Sequence, residues 1–184
     1  MKKQLTLISA AAMLALSLTA CGTSTSSNTT DNNKQQMADM DMNHTGSGQV
    51  PEGLKEAENP TFKVGDSVTI HTDHMKGMDG AKATVVGAYS TTAYAVSYNP
   101  TTGGEKVTNH KWVIQEEIKD HEAEPYKEGD QVVLQADHMN GMNGAKATID
   151  SAEKTTVYML DYTPTTGGEV VKNHKWVTES EITK

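Results

Sequence analysis

Residues 62–118 read "FKVGDSVTIHTDHMKGMDGAKATVVGAYSTTAYAVSYNPTTGGEKVTNHKWVIQEEI", and residues 126–182 read "YKEGDQVVLQADHMNGMNGAKATIDSAEKTTVYMLDYTPTTGGEVVKNHKWVTESEI". The second stretch lies on the first without a gap at a constant shift of 64, so that His74 falls on His138 and Trp112 on Trp176. An internal repeat of this quality decides the architecture before any local signal does. Only Lys119 to Pro125, "KDHEAEP", separates the copies. The chain is therefore expected to carry two small domains, residues 60–119 and 125–184, or one pseudo-symmetric pair.

Each copy reads as β structure. Val68 and Ile70 alternate with polar residues, as do Tyr94, Val96 and Tyr98, and Tyr158, Leu160 and Tyr162 repeat the pattern. "NPTTGG" and "TPTTGG" carry the proline and glycine of tight chain reversal. "KATVV" and "KATID" are short β-rich runs after a glycine, "HKWV" supplies a further strand, and "QEEI" or "ESEI" fits a single turn plus an edge strand. Five short strands in so few residues favour a small barrel over a sandwich. The order G-D-x-V, G-A-x-A-T, Y-x-x-x-Y, K-W-V points to an SH3-like barrel. The expected fold is all-β: two tandem small SH3-like β-barrels behind a disordered tether. A core this small is marginal alone, which favours packing of the two copies together.

The N-terminus, "MKKQLTLISAAAMLALSLTAC", has two lysines, an uncharged and largely apolar run from Leu5 to Ala20, and then Cys21. This is the layout of an export leader over residues 1–20, and the run is short and alanine/serine-rich for a permanent membrane span. Leu18-Thr19-Ala20-Cys21 matches the lipobox of bacterial lipoproteins, and Cys21 is the single cysteine of the chain. Thioether lipidation would account for that odd cysteine and would anchor the mature chain through several acyl chains. Removing residues 1–20 takes away Lys2 and Lys3, leaving 14 basic against 24 acidic residues and a net charge of −10. Such a surface repels nucleic acid and anionic lipid, and the absence of further cysteines leaves the fold to rest on its core. Residues 21–59 are rich in Ser, Thr, Asn, Gln, Asp and Gly and are expected to form a disordered tether. Within it "MADMDMNH" places Met37, Met40, Met42 and His44, a possible auxiliary metal cluster, although drift in an unconstrained linker accounts for it equally well.

"DHMKGMDGAKAT", "NPTTGGE" and "NHKWV" together resemble the duplicated domain of the YdhK family of Gram-positive lipoproteins, a group that includes CopL-like lipoproteins associated with copper resistance. The resemblance spans nearly all of residues 62–182 as well as the leader. It implies a lipoprotein on the extracytoplasmic face of the membrane of a Gram-positive bacterium that binds copper. It does not by itself assign the ligands.

The ligands must come from chemistry. Thioether sulfur is a soft donor that selects Cu(I), and imidazole is a good partner for it. In His74-Met75-x-Gly77-Met78 a single turn would bring His74 and Met78 together at i,i+4, with Met75 and Met78 at i,i+3. His138, Met139 and Met142 repeat the set, and His71 could add a fourth donor in the first copy, where the second has Gln135. The competing reading is packing: methionine fills gaps in cores, Met75 and Met78 could plug one end of a barrel, and His74 could serve a backbone hydrogen bond. His110 and His174, in "NHKWV", are weaker auxiliary candidates, and Trp112 and Trp176 read as core. Nothing in the sequence favours an enzyme, since it has no G-x-S-x-G elbow, no H-E-x-x-H helix and no H-x-H pairs.

The function expected is an extracytoplasmic, lipid-anchored copper protein that sequesters Cu(I) or passes it to an efflux system, with a copper efflux ATPase as a candidate partner. One rival is a cell-envelope module whose barrels bind peptidoglycan or a protein, the methionines being structural. Another is a zinc or manganese protein using Asp73, His74 and the acidic tail, against which the methionines argue.

Overall fold

The computed structural model describes residues 45–184. These form an all-β structure of eight strands in one antiparallel system, without an α-helix among the described residues. In order they are β1 (Lys55–Glu56), β2 (Ser67–Ile70), β3 (Lys82–Tyr98), β4 (Val107–Ile114), β5 (Gln131–Val133), β6 (Lys146–Tyr162), β7 (Val171–Thr178) and β8 (Ile182–Thr183). One-turn 3-10 segments at Gln115–Glu117 and Glu179–Glu181 follow β4 and β7.

The frame is the pair β3 and β6, each 17 residues long. At about 3.3 Å per residue such a strand reaches some 56 Å, too far for a small barrel. The two run antiparallel from Ala83↔Tyr162 to Tyr98↔Ala147. Thr91 pairs directly with Thr155, its own counterpart at the shift of 64, so the pseudo-two-fold axis passes between them. "KATVV" and "AYAVSY", read from the sequence as separate strands, are the two ends of one strand. The residues between them, "GAYSTT" and "DSAEKT", contain no proline and only a single glycine, and so offer nothing to turn the chain.

The interlacing gives two barrel-like lobes, each taking its walls from both repeats. The first core joins Phe62, Val68, Ile70, Met78 and Val85 to Tyr158, Leu160, Tyr162, Val177 and Ile182. The second joins Tyr94, Val96, Tyr98, Val113 and Ile118 to Val132, Leu134, Met142 and Ile149. Between them lies a third cluster of Ala93, Ala95, Trp112, Ile114, Val157, Met159 and Trp176. Residues 60–119 and 125–184 are thus units of sequence, while the cores are units of structure that cross them. This resolves the marginal core of a single copy, because each lobe buries surface that one repeat alone would leave wet.

The segment preceding the repeats is also used. Gly46 N–H donates to Lys172 O (2.8 Å), Asn173 Nδ2 donates to Gly46 O (3.1 Å) and Lys175 Nζ donates to Gln49 O (2.9 Å), so residues 45–49 line the edge of β7. A Cβ at Gly46 would stand 2.6 Å from Asn173 O, so the approach needs glycine there. β1 pairs with β3 at Lys55↔Ser90 and Glu56↔Tyr89. The tether expected over residues 21–59 therefore gives way to docked chain by Thr45. Its backbone groups bond an open strand edge, an outcome that composition does not reveal.

Candidate functional site

The two His-Met loops, residues 71–81 and 135–145, join β2 to β3 and β5 to β6. Each docks on the proline-glycine turn of the other repeat. Thr165 N–H donates to Gly77 O, and Thr101 N–H to Gly141 O, both at 2.9 Å. Gly77 and Gly141 have φ of 83° and 78°. A Cβ at Gly77 would stand 2.7 Å from Thr166 Oγ1, and one at Gly141 2.5 Å from Thr102 Oγ1. The glycine of the motif is therefore fixed by two demands, a left-handed backbone and close contact with the partner turn.

Within each loop the candidate donors divide. Met78 and Met142 are fully buried, one in each lobe core, as the packing reading of the sequence anticipates. Met75 and Met139 remain half-buried, Met75 against the rim of the first core. His74 Nε2 lies 2.8 Å from Glu181 Oε1, and His138 Nε2 lies 2.7 Å from Glu117 Oε1. Each pair crosses between repeats.

The glutamates are anchored from the other side. Glu181 Oε2 accepts from Trp112 Nε1 (2.8 Å) and from Thr178 N–H (3.0 Å). Glu117 Oε2 accepts from Trp176 Nε1 (3.1 Å) and Ile114 N–H (3.2 Å). Burial pushes both carboxyls up, but the histidine, the amide and the indole outweigh it. Glu117 ends below the usual carboxylate range and Glu181 at about 2. Both are ionised at neutral pH and can only accept, so Nε2 of each histidine carries a proton. In the neutral ring Nδ1 is then the bare nitrogen. The Nδ1 atoms of His74 and His138 are buried and have no hydrogen-bond partner among the described residues. A histidine oriented by a carboxylate with its second nitrogen free is the arrangement found behind many metal ligands.

The remaining candidate histidines take different places. The His110 ring stands 6.1 Å from that of His138, tilted by 39°, and 6.1 Å from that of Tyr98. Its Nε2 is also buried without a partner. Burial, with repulsion from His138 and His74, lowers the His110 pKa to about 4, so the ring is neutral at physiological pH. A recess of about 350 Å³, lined by Thr72, Asp73, His74, Asn109, His110 and Lys111 among others, opens beside it. His174 is buried near Tyr162, with ring centres 5.6 Å apart. His71 is exposed and hydrogen-bonds Thr183 Oγ1 through Nε2 (2.7 Å), placing it on the β2–β8 edge. No three His, Cys, Asp or Glu side chains converge as a metal group among the described residues. Cys21, Met37, Met40, Met42 and His44 lie outside the described residues.

Sequence reading missed Glu117 and Glu181, taking "QEEI" and "ESEI" only as turn and edge. A signal existed, since an acid before isoleucine recurs at the shift of 64 just after each tryptophan strand.

A model for the family described as "Protein of unknown function (DUF1541)" matches residues 64–115 and again 128–179. The "Uncharacterized protein YdhK" of Bacillus subtilis (strain 168) is 62% identical over 167 residues, spanning 90% of this chain and 82% of that protein. The crystal structure of a DUF1541 family protein, ydhK from Bacillus subtilis, superposes with a TM-score of 0.75 at 66% identity, covering 78% of this chain and 97% of that one. The solution structure of the ydhK C-terminal domain gives 0.64 at 68% identity, covering 66% and 92%. One match in each repeat, and a relative so similar along most of its length, establish that the chain belongs to the DUF1541 family.

Proposed function

We propose that this is an extracytoplasmic lipoprotein that binds copper as Cu(I) and either sequesters it or hands it to an efflux system, in the manner of the CopL-like lipoproteins its motifs resemble. The observation that carries the reading is the pair of carboxylate-held histidines, His74 and His138, each with a buried and unpartnered Nδ1 beside a half-buried methionine in the same loop. A neutral imidazole and a thioether form a soft donor set suited to Cu(I) and poor for hard ions. On this reading Met75 and Met139 are the sulfur donors, and Met78 and Met142 hold the loops to the cores. The leader and Cys21 support attachment to the outer face of the membrane.

The test is a Cu(I) competition titration under reducing conditions on the mature chain and on a variant with His74→Gln, His138→Gln, Met75→Leu and Met139→Leu. Binding should collapse in the variant, while Met78→Leu and Met142→Leu should leave it close to wild type. Undiminished binding by the first variant would overturn the ligand assignment. A Cys21→Ala variant should lose acylation and membrane retention, and its recovery in the lipidated membrane fraction would refute the anchor.

A further inference from the structure

Two buried imidazole nitrogens from different repeats, His110 Nε2 on β4 and His138 Nδ1 on the second loop, lack partners while their rings stand 6.1 Å apart. Leaving a polar atom buried and unsatisfied on each of two neighbouring rings costs stability, about 1–3 kcal/mol for each atom. Such a pair in a well-packed region calls for an occupant or a role. A direct N–H···N bond of about 3.0 Å would bring the ring centres closer than this. A bridging ion fits better. Metal–imidazole bonds are about 2.0 Å, and a ring nitrogen lies roughly 1.2 Å from its ring centre, so a linear N–metal–N bridge whose donors face each other sets the centres about 6.4 Å apart.

We propose that His110 and His138 form a two-coordinate site for a soft monovalent d10 cation, Cu(I), joining the two repeats. The proposal rests on the copper reading above and revises it at the second loop, where His110 from across the repeat boundary takes the donor place given there to Met139 and the coordination number is two. Coordination number carries the selectivity. Zinc takes four ligands, and no third His, Cys, Asp or Glu joins into a metal group among the described residues. A d10 monovalent ion is content with two nitrogens in line. Glu117, hydrogen-bonded to His138 Nε2 and clamped by Trp176 and Ile114, fixes the ring that presents Nδ1 and places a negative charge behind it. The recess beside His110 offers a path for the ion from solvent.

The test uses residues 21–184 with Cys21 changed to serine, Met37, Met40 and Met42 to leucine and His44 to glutamine, so that residues before Thr45 contribute no soft donor. Cu(I) is titrated against a competing chelator for this protein, for His110→Gln, and for His121→Gln as a control. The pair predicts that His110→Gln loses one copper ion per chain, or weakens one site by more than the roughly 10–100-fold that an outer-shell partner is worth, while His121→Gln is unchanged. Because a variant can misfold, Ag(I) serves as a redox-silent probe on the unmutated histidines. In nitrogen-15 spectra the ring nitrogens of His110 and His138 should shift together at the first equivalent. Cu(I) binding that ignores His110→Gln, or Ag(I) shifts that bypass this pair, would overturn the bridge and leave the copper reading standing. Failure of the parent protein to retain Cu(I) would overturn both.

Discussion

Glu117→Ala should be among the most damaging single changes in the fold. The carboxylate is buried, and it accepts from His138 Nε2 at 2.7 Å, Trp176 Nε1 at 3.1 Å and Ile114 N–H at 3.2 Å. Its removal strands three donors, each costing about 1–3 kcal/mol when left unmade. The small cavity left behind admits some relaxation, so the expected loss is about 3–5 kcal/mol, toward the low end of three stranded donors. Glu117→Gln keeps the shape and one acceptor but sets an amide donor against an existing donor, and should cost about half as much. Urea unfolding of residues 21–184, followed by tryptophan fluorescence, measures this as a shift in midpoint at unchanged slope. In a double-mutant cycle with His138→Ala the two losses should be non-additive by at least about 1 kcal/mol. A Glu117→Ala cost below about 1 kcal/mol, or strict additivity, would show that the His–Glu–Trp chain contributes little.

Three other outcomes follow from the same geometry. Gly77→Ala and Gly141→Ala should each destabilise by about 1–3 kcal/mol, since a strained φ combines with a Cβ pressed on the partner turn; equal stability in thermal melts would refute the loop-to-turn docking. His110 is neutral in the fold with its pKa near 4, against 6.5 when exposed, so the metal-free protein should lose stability as pH falls through that window. Its full contribution is present above pH 6.5, and a His110→Phe variant should show a flatter profile there in acid titrations of unfolding midpoint. Residues 60–119 expressed alone should fail to fold as a monomer, because each core takes half its walls from the other repeat; a cooperatively unfolding monomer by ultracentrifugation and calorimetry would contradict the interlacing.

The repeat, the all-β character and the turns were legible because they rest on local pattern: alternation at Tyr94, Val96 and Tyr98, and the Pro-Thr-Thr-Gly-Gly reversals. Which ends of which strands meet was not. The register Ala83↔Tyr162 through Tyr98↔Ala147 is a long-range pairing, and alternation within one copy is satisfied equally by a private barrel or a shared one. The His-Met motif stands out in the sequence, but which of its methionines packs in the core does not. Met75 and Met78 are alike as letters, and only the docking of Gly77 on the partner turn decides that Met78 goes into the core. Glu117 and Glu181 were hidden for a further reason. A buried glutamate is rare, and its partner stands 21 residues away in one half and 107 in the other.

Retention of Cu(I) by residues 21–184 is to be measured against a competing chelator of known affinity, under reducing conditions with zinc and manganese titrated in parallel. Stoichiometric Cu(I) binding is expected, with no comparable retention of either divalent ion. Loss of all Cu(I) to the chelator, or preferential retention of zinc or manganese, would contradict the copper reading.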